Sequence, residues 1–185
     1  PGAADRSEDW PAPAARRAEE VRAADPRDFP AVAAFCVARA REGAAADPRP
    51  FVFVWPRVWE RERGRPFFQG LAPERRVIHV RAPDEAEALW AAEEALKSGA
   101  ASAVLALAED PPFVASRRIA LAAEAGGARA WLMAARESGT LSAAHLRWRV
   151  ESLPSAADPL DARAPGPARL RAELVRRRDG APGVF

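Results

Sequence analysis

The sequence predicts an α/β domain in which a largely parallel sheet is flanked by helices and carries an antiparallel C-terminal edge. Short apolar runs of strand length alternate with helical segments between residues 29 and 133. Each run is bounded by Pro, Gly or charged residues, as expected for strands covered on both faces. From residue 147 onward polar and apolar residues alternate, which indicates antiparallel strands with one face in solvent.

Four apolar runs are the predicted parallel strands: residues 51–54, 77–80, 103–107 and 130–133. A helix is predicted between residues 29 and 41, and the best-marked helix covers residues 84–98. Asp84 is its predicted N-cap, Glu87 sits at the capping-box position, and Gly99 ends it. Its predicted inward stripe consists of Leu89, Ala92 and Leu96, with Trp90 beside them.

The C-terminal half completes the predicted domain. A helix is predicted after Asp110 up to residue 125, where Gly126 and Gly127 end it. Strands are predicted at residues 147–151 and 170–174, joined by a Pro-rich loop at 154–168. Residues 1–18 lack a strong apolar period and are predicted to be a flexible tail, so the domain is assigned to residues 19–185.

Composition limits the class of protein. The chain has 185 residues and a net charge of +2, and Cys36 is its single cysteine. No apolar run approaches the roughly 18 residues of a membrane-spanning helix, and no signal-peptide pattern opens the chain. We therefore expect a cytoplasmic protein with no membrane partner. Because the chain opens on Pro1 rather than Met, we also expect residues N-terminal to it.

The inventory of catalytic side chains is small. His79 and His145 are the two histidines, and neither has a second ligand at metal spacing. His79 lies in a predicted strand, which favours a structural histidine over a catalytic one, and His145 is read as a loop histidine. Cys36 falls on an apolar helix face and is read as a small buried hydrophobe. We predict no metal site and no catalytic residue.

Nucleotide binding needs a phosphate loop of the form G-x-x-x-x-G-K-[ST], whose backbone N–H groups surround the phosphates. The single lysine, Lys97, follows Leu96 rather than Gly. Where the loop would stand, before the helix at residue 29, the sequence reads AADPRDFP at positions 23–30. This stretch has no glycine, two prolines without N–H donors, and two aspartates that would repel phosphate.

Three stretches carry a family resemblance: LWAAEEAL at 89–96, SRRIALAAEAGG at 116–127 and SAAHLRWRV at 142–150. In sequence, order and spacing they resemble the ImuA branch of the RecA and SulA superfamily, over roughly residues 20–183. The resemblance implies a RecA-like core. It also implies a cytoplasmic factor of the SOS DNA-damage response that acts in translesion synthesis and mutagenesis.

Two further ATP-handling elements depart from the RecA pattern. RecA ends its Walker B strand with an Asp, whereas here Glu109 and Asp110 come only after Leu107 and Ala108. RecA-type ATPases place a catalytic Glu where this chain has Trp55 and Pro56. Three independent departures predict a degenerate, non-catalytic ATPase fold without a cofactor. An active ATPase or recombinase remains the enzyme alternative.

The resemblance implies three protein partners: an ImuB-like protein, an error-prone DnaE-type polymerase and RecA, with DNA also possible. The alternative is a SulA-type cell-division inhibitor that binds FtsZ. The strand at 147–151 and the chain beyond it favour the ImuA assignment, because SulA-like proteins resemble mainly residues 51–133.

Arginines and tryptophans are the candidate binding residues, because Trp and Arg dominate binding hot spots. We expect partner contacts from Arg117 and Arg118 on the second marked helix, although such residues commonly pair with nearby carboxylates. Trp90, Trp131 and Trp148 are predicted to face the core. Trp55 and Trp59 flank a predicted Arg-rich loop, where they are expected either to be partly exposed as interface anchors or to seal the edge of the core. The other candidates belong to the C-terminal strands: Arg147, Arg149, Arg176, Arg177 and Arg178.

Basic residues concentrate near the C-terminus, where residues 163–178 contain six arginines against Glu173 alone. A solvated Arg-rich surface is one interpretation, and a phosphate-binding patch is the other. Arg177 is expected to point away from Arg176 and Arg178 if the strand continues through them. For this cluster the sequence favours carboxylates of a protein partner over DNA phosphates, because no full basic groove is evident.

Overall fold

The computed structural model describes residues 17–42, 47–64, 66–67, 70, 74–135, 139–161, 163–180 and 182–185. Their helices are α1 (Phe29–Arg41), α2 (Arg57–Arg63), α3 (Glu85–Lys97) and α4 (Phe113–Gly126), with a short 3-10 helix at Pro26–Asp28. The strands are β1 (Ala18–Ala23), β2 (Phe51–Pro56), β3 (Val77–Ala82), β4 (Ala103–Leu107), β5 (Arg129–Ala134), β6 (Leu146–Leu153), β7 (Arg169–Arg177) and β8 (Gly183–Val184).

All eight strands form a single sheet in the order β3-β2-β4-β5-β1-β6-β7-β8. The first six in this order are parallel to one another. β7 pairs with β6 and β8 pairs with β7, both antiparallel. The predicted α/β fold, with a largely parallel sheet flanked by helices and an antiparallel C-terminal edge, is confirmed.

Helices on both faces explain why β2 and β4 are apolar at every position. In β2, Phe51, Phe53 and Trp55 belong to the core under α1, while Val52 and Val54 belong to the core under α3 and α4. Side chains alternate along a strand, so a strand buried on both sides loses its polar positions. Trp131 and Trp148 lie under α1 and are 1% and 0% exposed, as predicted.

The central strand β1 is charged and was not predicted. Glu19, Glu20 and Arg22 are buried within it. Glu19 faces α1 and receives two hydrogen bonds of 2.9 Å from the guanidinium of Arg39. The indole N–H of Trp148 donates a third bond, also of 2.9 Å, to Glu19. These bonds offset the cost of burying a carboxylate in an apolar core.

The opposite face of β1 holds a second ion-pair network. Glu20 accepts hydrogen bonds from Arg22 and from Arg147 Nε, the latter at 3.0 Å. Arg22 also reaches Asp110 Oδ1 at 3.2 Å, and the hydroxyl of Thr140 donates to Asp110 Oδ2 at 2.9 Å. Residues 139–145 lie on the way from β5 to β6, which flank β1 on either side, so this connection helps to cover the network.

Three predicted details are corrected by the structure. Trp90 is 55% exposed, because its position on α3 is turned away from the stripe formed by Leu89, Ala92 and Leu96. β6 is parallel to β1 and antiparallel only to β7, so it joins the parallel core rather than a separate antiparallel pair. Residues 1–16 of the predicted tail lie outside the described residues. Ala18, which the predicted tail included, belongs to β1.

The connection from β6 to β7 spans residues 154–168, where the Pro-rich loop was predicted, and an isolated bridge between Ala157 and Pro165 ties it to itself. Among the described residues, no helix has the length and apolar character needed to cross a bilayer.

Candidate functional site

The turn between β1 and α1 contains Asp25 and Asp28, where the sequence lacks the glycines of a phosphate loop. Asp25 accepts a hydrogen bond from the backbone N–H of Arg27 at 2.9 Å. Asp28 accepts from the N–H of Asp25 at 3.1 Å and from the N–H of Ser152 at 3.0 Å. The hydrogen bond from the Arg27 side chain lowers the pKa of Asp25, which favours its charged form. Carboxylates therefore occupy amide donors that a phosphate would require.

An aromatic cluster lies beside this turn. The ring centroids of Phe29 lie 5.8 Å from Trp55 and 5.2 Å from Trp59. The guanidinium of Arg63 lies 4.6 Å above the Trp59 ring and donates to the carbonyl of Pro26 at 3.2 Å. Apolar rings thus stand at the end of β2, where RecA-type ATPases place a catalytic carboxylate.

Of the two expectations for Trp55 and Trp59, burial at the edge of the core is the one observed, since they are 4% and 7% exposed. Residues 57–63 form helix α2 rather than an Arg-rich loop, and this helix holds Trp59 against Phe29. The two tryptophans seal the edge of the core. They are removed from the set of candidate interface anchors.

The acidic residues after β4 also have structural partners. Glu85 accepts a hydrogen bond from the backbone N–H of Glu109 at 2.8 Å, which joins the N-terminal end of α3 to the loop after β4. Asp110 is held by Arg22 and Thr140 as described above.

The outward surface of α3 and α4 is the most unusual feature of the molecule, and we call it the α3–α4 face. Its exposed apolar side chains have high fractional exposures: Trp90 55%, Phe113 43%, Val114 66% and Leu121 55%. A shallow groove between the helices is lined by Ala86, Leu89, Trp90, Glu93, Pro112, Ala115 and Arg118. Exposed apolar side chains on neighbouring helices, when bordered by polar residues, are a feature of protein-interaction surfaces.

Charged side chains border the groove at Glu93. Lys97 Nζ lies 2.7 Å from one carboxylate oxygen of Glu93, and Arg118 Nη2 lies 2.6 Å from the other. Burial acts to raise the pKa of Glu93, but the hydrogen bonds from Lys97 and Arg118 outweigh it and lower the pKa. Arg118 is therefore tied to the groove wall, and Arg117 is exposed beside it.

Arg49 joins the far ends of the two groove helices. Its guanidinium donates to the carbonyl of Gly99 at 2.8 Å and to that of Gly127 at 3.0 Å. These residues lie at the C-terminal ends of α3 and α4, where carbonyl groups lack helical partners. Asp47 in turn holds Arg49 at 2.8 Å.

The C-terminal strands place the remaining arginine candidates in different surroundings. Arg147 is mostly buried in the network at Glu20. Arg149 pairs across the strands with Glu173 at 3.5 Å, and Arg171 pairs with Glu151 at 3.1 Å. Arg176 donates to the carbonyl of Ser142 at 2.9 Å, whereas Arg177 and Arg178 are exposed at the end of β7.

The two histidines and the cysteine also have defined surroundings. His79 lies on β3 with its Nε2 3.6 Å from Glu60, and His145 lies before β6 in contact with Arg17 at 2.8 Å. Cys36 is buried in the core under α1, and burial raises the pKa of its thiol. No group of three or more potential metal ligands occurs in the described part of the chain.

Comparison with known proteins assigns the chain to a family. It is 39% identical over 140 residues to Protein ImuA of Caulobacter vibrioides, in both strain NA1000 / CB15N and strain ATCC 19089 / CIP 103742 / CB 15. The chain belongs to the ImuA family. The match covers 68% of this chain and 57% of each ImuA protein, so the chain spans little more than half the length of these curated relatives.

A search of family models gives no match. Among solved structures, the chain is similar to SulA from Pseudomonas aeruginosa, with 23% identity and a TM-score of 0.47. That similarity covers 63% of this ImuA-family chain and 96% of the SulA chain.

Sequence reasoning missed two groups of residues that shape the surface of this ImuA-family domain. Trp90 was assigned to the core, although its place one residue after Leu89 turns it away from the stripe at Leu89, Ala92 and Leu96. Arg17 and Asp179 were not singled out, because they meet only in the folded chain, 162 positions apart. The helical period could have revealed the first, but no local signal could have revealed the second.

Proposed function

We propose that this chain is a non-catalytic accessory protein of translesion DNA synthesis that acts by binding other proteins through the α3–α4 face. The observation that carries this proposal is the exposure of Trp90, Val114 and Leu121 on helices whose opposite sides are fully packed. A projecting tryptophan next to arginines has the composition of a binding hot spot. The paired charges at Glu93 and Arg118 supply a polar rim.

The non-catalytic part of the proposal is supported by the turn before α1. Asp25 and Asp28 take up backbone donors there, and the aromatic cluster of Phe29, Trp55 and Trp59 stands nearby. A triphosphate would have to displace two carboxylates that would also repel it. A fold by itself fixes no activity, so the role is assigned to surfaces.

Membership of the ImuA family supports the choice of partners. We propose the cytoplasmic, SOS-linked DNA-damage response as the setting, with an ImuB-like protein, an error-prone DnaE-type polymerase and RecA as the proteins to test. Arg117 is proposed to meet a carboxylate of the partner, because it is exposed at the edge of the apolar surface.

Binding assays with purified proteins test the proposal. The chain is immobilised, and each of the three partners and FtsZ is passed over it. We expect at least one of the three to be retained, and the double variant Trp90→Ala/Leu121→Ala to weaken it by roughly 30-fold or more, as hot-spot truncation does. Leu160→Ala is the matched control, because Leu160 is 95% exposed in the connection from β6 to β7.

Two outcomes would overturn the assignment. Retention of FtsZ alone would replace it with a SulA-type cell-division inhibitor. Equal binding by the double variant and by Leu160→Ala would remove the α3–α4 face from the interface. Circular dichroism of both variants checks that the fold is kept, which is expected because all three side chains are exposed.

Calorimetry with Mg-ATP tests the non-catalytic part separately. We expect no saturable heat at micromolar nucleotide, because carboxylates and prolines stand where the phosphate-binding amides would be. Saturable binding of Mg-ATP at micromolar concentration would contradict this expectation and favour the alternative of an active ATPase.

A further inference from the structure

An arginine cluster forms at the end of β7 from residues that are distant in sequence. Arg17 precedes β1, His145 precedes β6, Arg177 ends β7 and Arg178 follows it. Arg17 Nη1 lies 3.3 Å from Asp179 Oδ2 and 2.8 Å from His145 Nδ1. The backbone N–H of Arg178 donates to the carbonyl of His145 at 3.0 Å, which joins the two strand ends. We call these five residues the Asp179 cluster.

The charges of the cluster do not balance. Burial and the positive charge of Arg17 lower the pKa of His145, and Arg178 and Arg177 add to this against the opposing charge of Asp179, so the neutral imidazole is favoured. Among the described residues, three guanidiniums and one carboxylate therefore act on His145, which leaves three minus one, or two, net positive charges. Neither Arg177 nor Arg178 forms an ion pair with any other residue that the structure describes.

Arg177 is positioned by its neighbour Gly180. A Cβ atom at position 180 would lie 2.9 Å from both Cδ and Nε of Arg177, so the arginine side chain folds over the bare glycine backbone. Such a contact limits the freedom of a long exposed side chain. A guanidinium that is already held in place loses less entropy when it binds an anion.

We infer that the Asp179 cluster binds the phosphate backbone of duplex nucleic acid, with Asp179 as an internal competitor for the arginines. Guanidinium groups match phosphate oxygens in planar, two-bond geometry. The exposed aromatic side chains of the described chain, Phe67, Trp90 and Phe113, lie on other elements. Within the described part of the chain, the cluster therefore has neither the stacking platform of single-strand binders nor the aromatic anchor of a protein interface.

This inference goes beyond the proposed protein-binding role and does not depend on the α3–α4 face. It differs from the sequence-based preference for a protein partner, because folding adds Arg17 to the C-terminal arginines. The single carboxylate is exposed, so its ion pair with Arg17 is weak and a phosphate can displace it.

Fluorescence polarisation with a labelled duplex of about 20 base pairs tests the inference across a salt series. We expect binding to weaken steeply with salt in the parent chain. Arg177→Ala/Arg178→Ala should reduce affinity by about 10-fold or more at low salt and make the log-log salt slope shallower by about 1.8, at 0.9 per lost phosphate contact. Asp179→Asn should strengthen binding several-fold.

The matched control is Arg149→Ala/Arg171→Ala, which removes the same charge from residues paired with Glu173 and Glu151. We expect this control to bind the duplex within about twofold of the parent, because those arginines already have carboxylate partners. Gly180→Ala is a second variant that keeps every charge. It should weaken binding by displacing the Arg177 side chain.

Several results would overturn the inference. Equal duplex binding by the parent and by Arg177→Ala/Arg178→Ala is one, and weaker binding by Asp179→Asn is another. Tighter binding of a single strand than of the duplex would contradict the choice of ligand. Loss of a protein partner with unchanged duplex binding would assign the cluster to an acidic protein surface. The variant Trp90→Ala/Leu121→Ala should bind the duplex as the parent does. Failure of the protein-binding proposal can therefore be told apart from failure of the duplex-binding inference.

Discussion

Arginine and glutamate side chains pair on both halves of the sheet, but only those around β1 are removed from water. The side chains of Arg39 and Glu19 are 0% and 1% exposed, whereas those of Arg171 and Glu151 are 55% and 46% exposed. The first pair joins a helix to the central strand. The second joins adjacent strands on a face that remains in solvent. The same chemistry therefore specifies architecture in one region and keeps a surface soluble in the other.

This comparison explains why β1 can be charged and still be central. A buried ion pair gains little over a well-packed apolar pair, but it cannot tolerate the wrong neighbour. Glu19 requires Arg39 and Trp148, and Glu20 requires Arg22 and Arg147. The two networks thus fix which elements flank β1, on both of its faces.

The largest expected effect is the loss of one partner from the most buried pair. Arg39→Ala should lower the free energy of unfolding by about 3–5 kcal/mol, because it leaves the carboxylate of Glu19 buried with its main partner gone. Urea denaturation followed by circular dichroism measures the loss. The double variant Glu19→Gln/Arg39→Met should recover at least half of it, since Gln still accepts from Trp148. A loss below about 1 kcal/mol for Arg39→Ala would show that the buried pair is no more important for stability than an exposed one.

The second test compares two arginines on the neighbouring strands β6 and β7. Arg147→Ala should reduce the free energy of unfolding by about 2–3 kcal/mol, because its partner Glu20 is fully buried. Arg171→Ala should change it by no more than about 0.5 kcal/mol, because that pair is exposed. Equal effects in the same urea titration would mean that burial does not separate the two regions.

Salt should distinguish the regions as well, with a smaller effect. The contribution of Arg171 should disappear as ionic strength rises, whereas that of Arg147 should persist, because buried charges are poorly screened. Urea titrations of the parent and of both alanine variants at low and high salt measure this difference. Equal salt dependence of the two contributions would contradict the assignment.

The mildest probe is the reactivity of Cys36, which lies beside the Glu19 pair. Burial raises the pKa of its thiol, and the negative charge of Glu19 raises it further, so the reactive thiolate is scarce at pH 8. We expect Ellman's reagent to react with Cys36 slowly in the native chain and fully in guanidinium. Arg39→Ala should accelerate the native reaction by increasing local opening. Rapid reaction of the native parent would show that this region is open to solvent.

Much of the fold was predictable from the sequence because apolar runs mark strands that are covered on both faces. The runs at β2, β3, β4 and β5 identify the parallel core, and Asp84 and Gly99 mark the ends of α3. The sequence AEEVRA of β1 carries no such signal, since three of its six residues are charged. The side chains of other elements that pair with its glutamates come from α1 and β6. A local sequence pattern cannot predict pairs that form only through tertiary contact.

The candidate surfaces were predictable only in part, for a similar reason. The exposure of Arg117 and Arg118 follows from helical spacing, but the burial of Trp55 and Trp59 depends on how α2 packs against Phe29. The Asp179 cluster depends on the register between β6 and β7, which brings His145 to the end of β7. Sequence separation hides such groups until the strands are paired.

The two hydrogen bonds from Arg49 to the ends of α3 and α4 affect how the α3–α4 face would bind a partner. One planar guanidinium binds carbonyls just beyond the C-terminal ends of both helices, so neither helix can slide without breaking a charge-assisted bond. The spacing between Trp90 and Arg118 is therefore set during folding and does not have to be found again at each encounter. A rigid partner can dock on such a preformed surface without waiting for rearrangement, which favours fast association and a small conformational entropy loss.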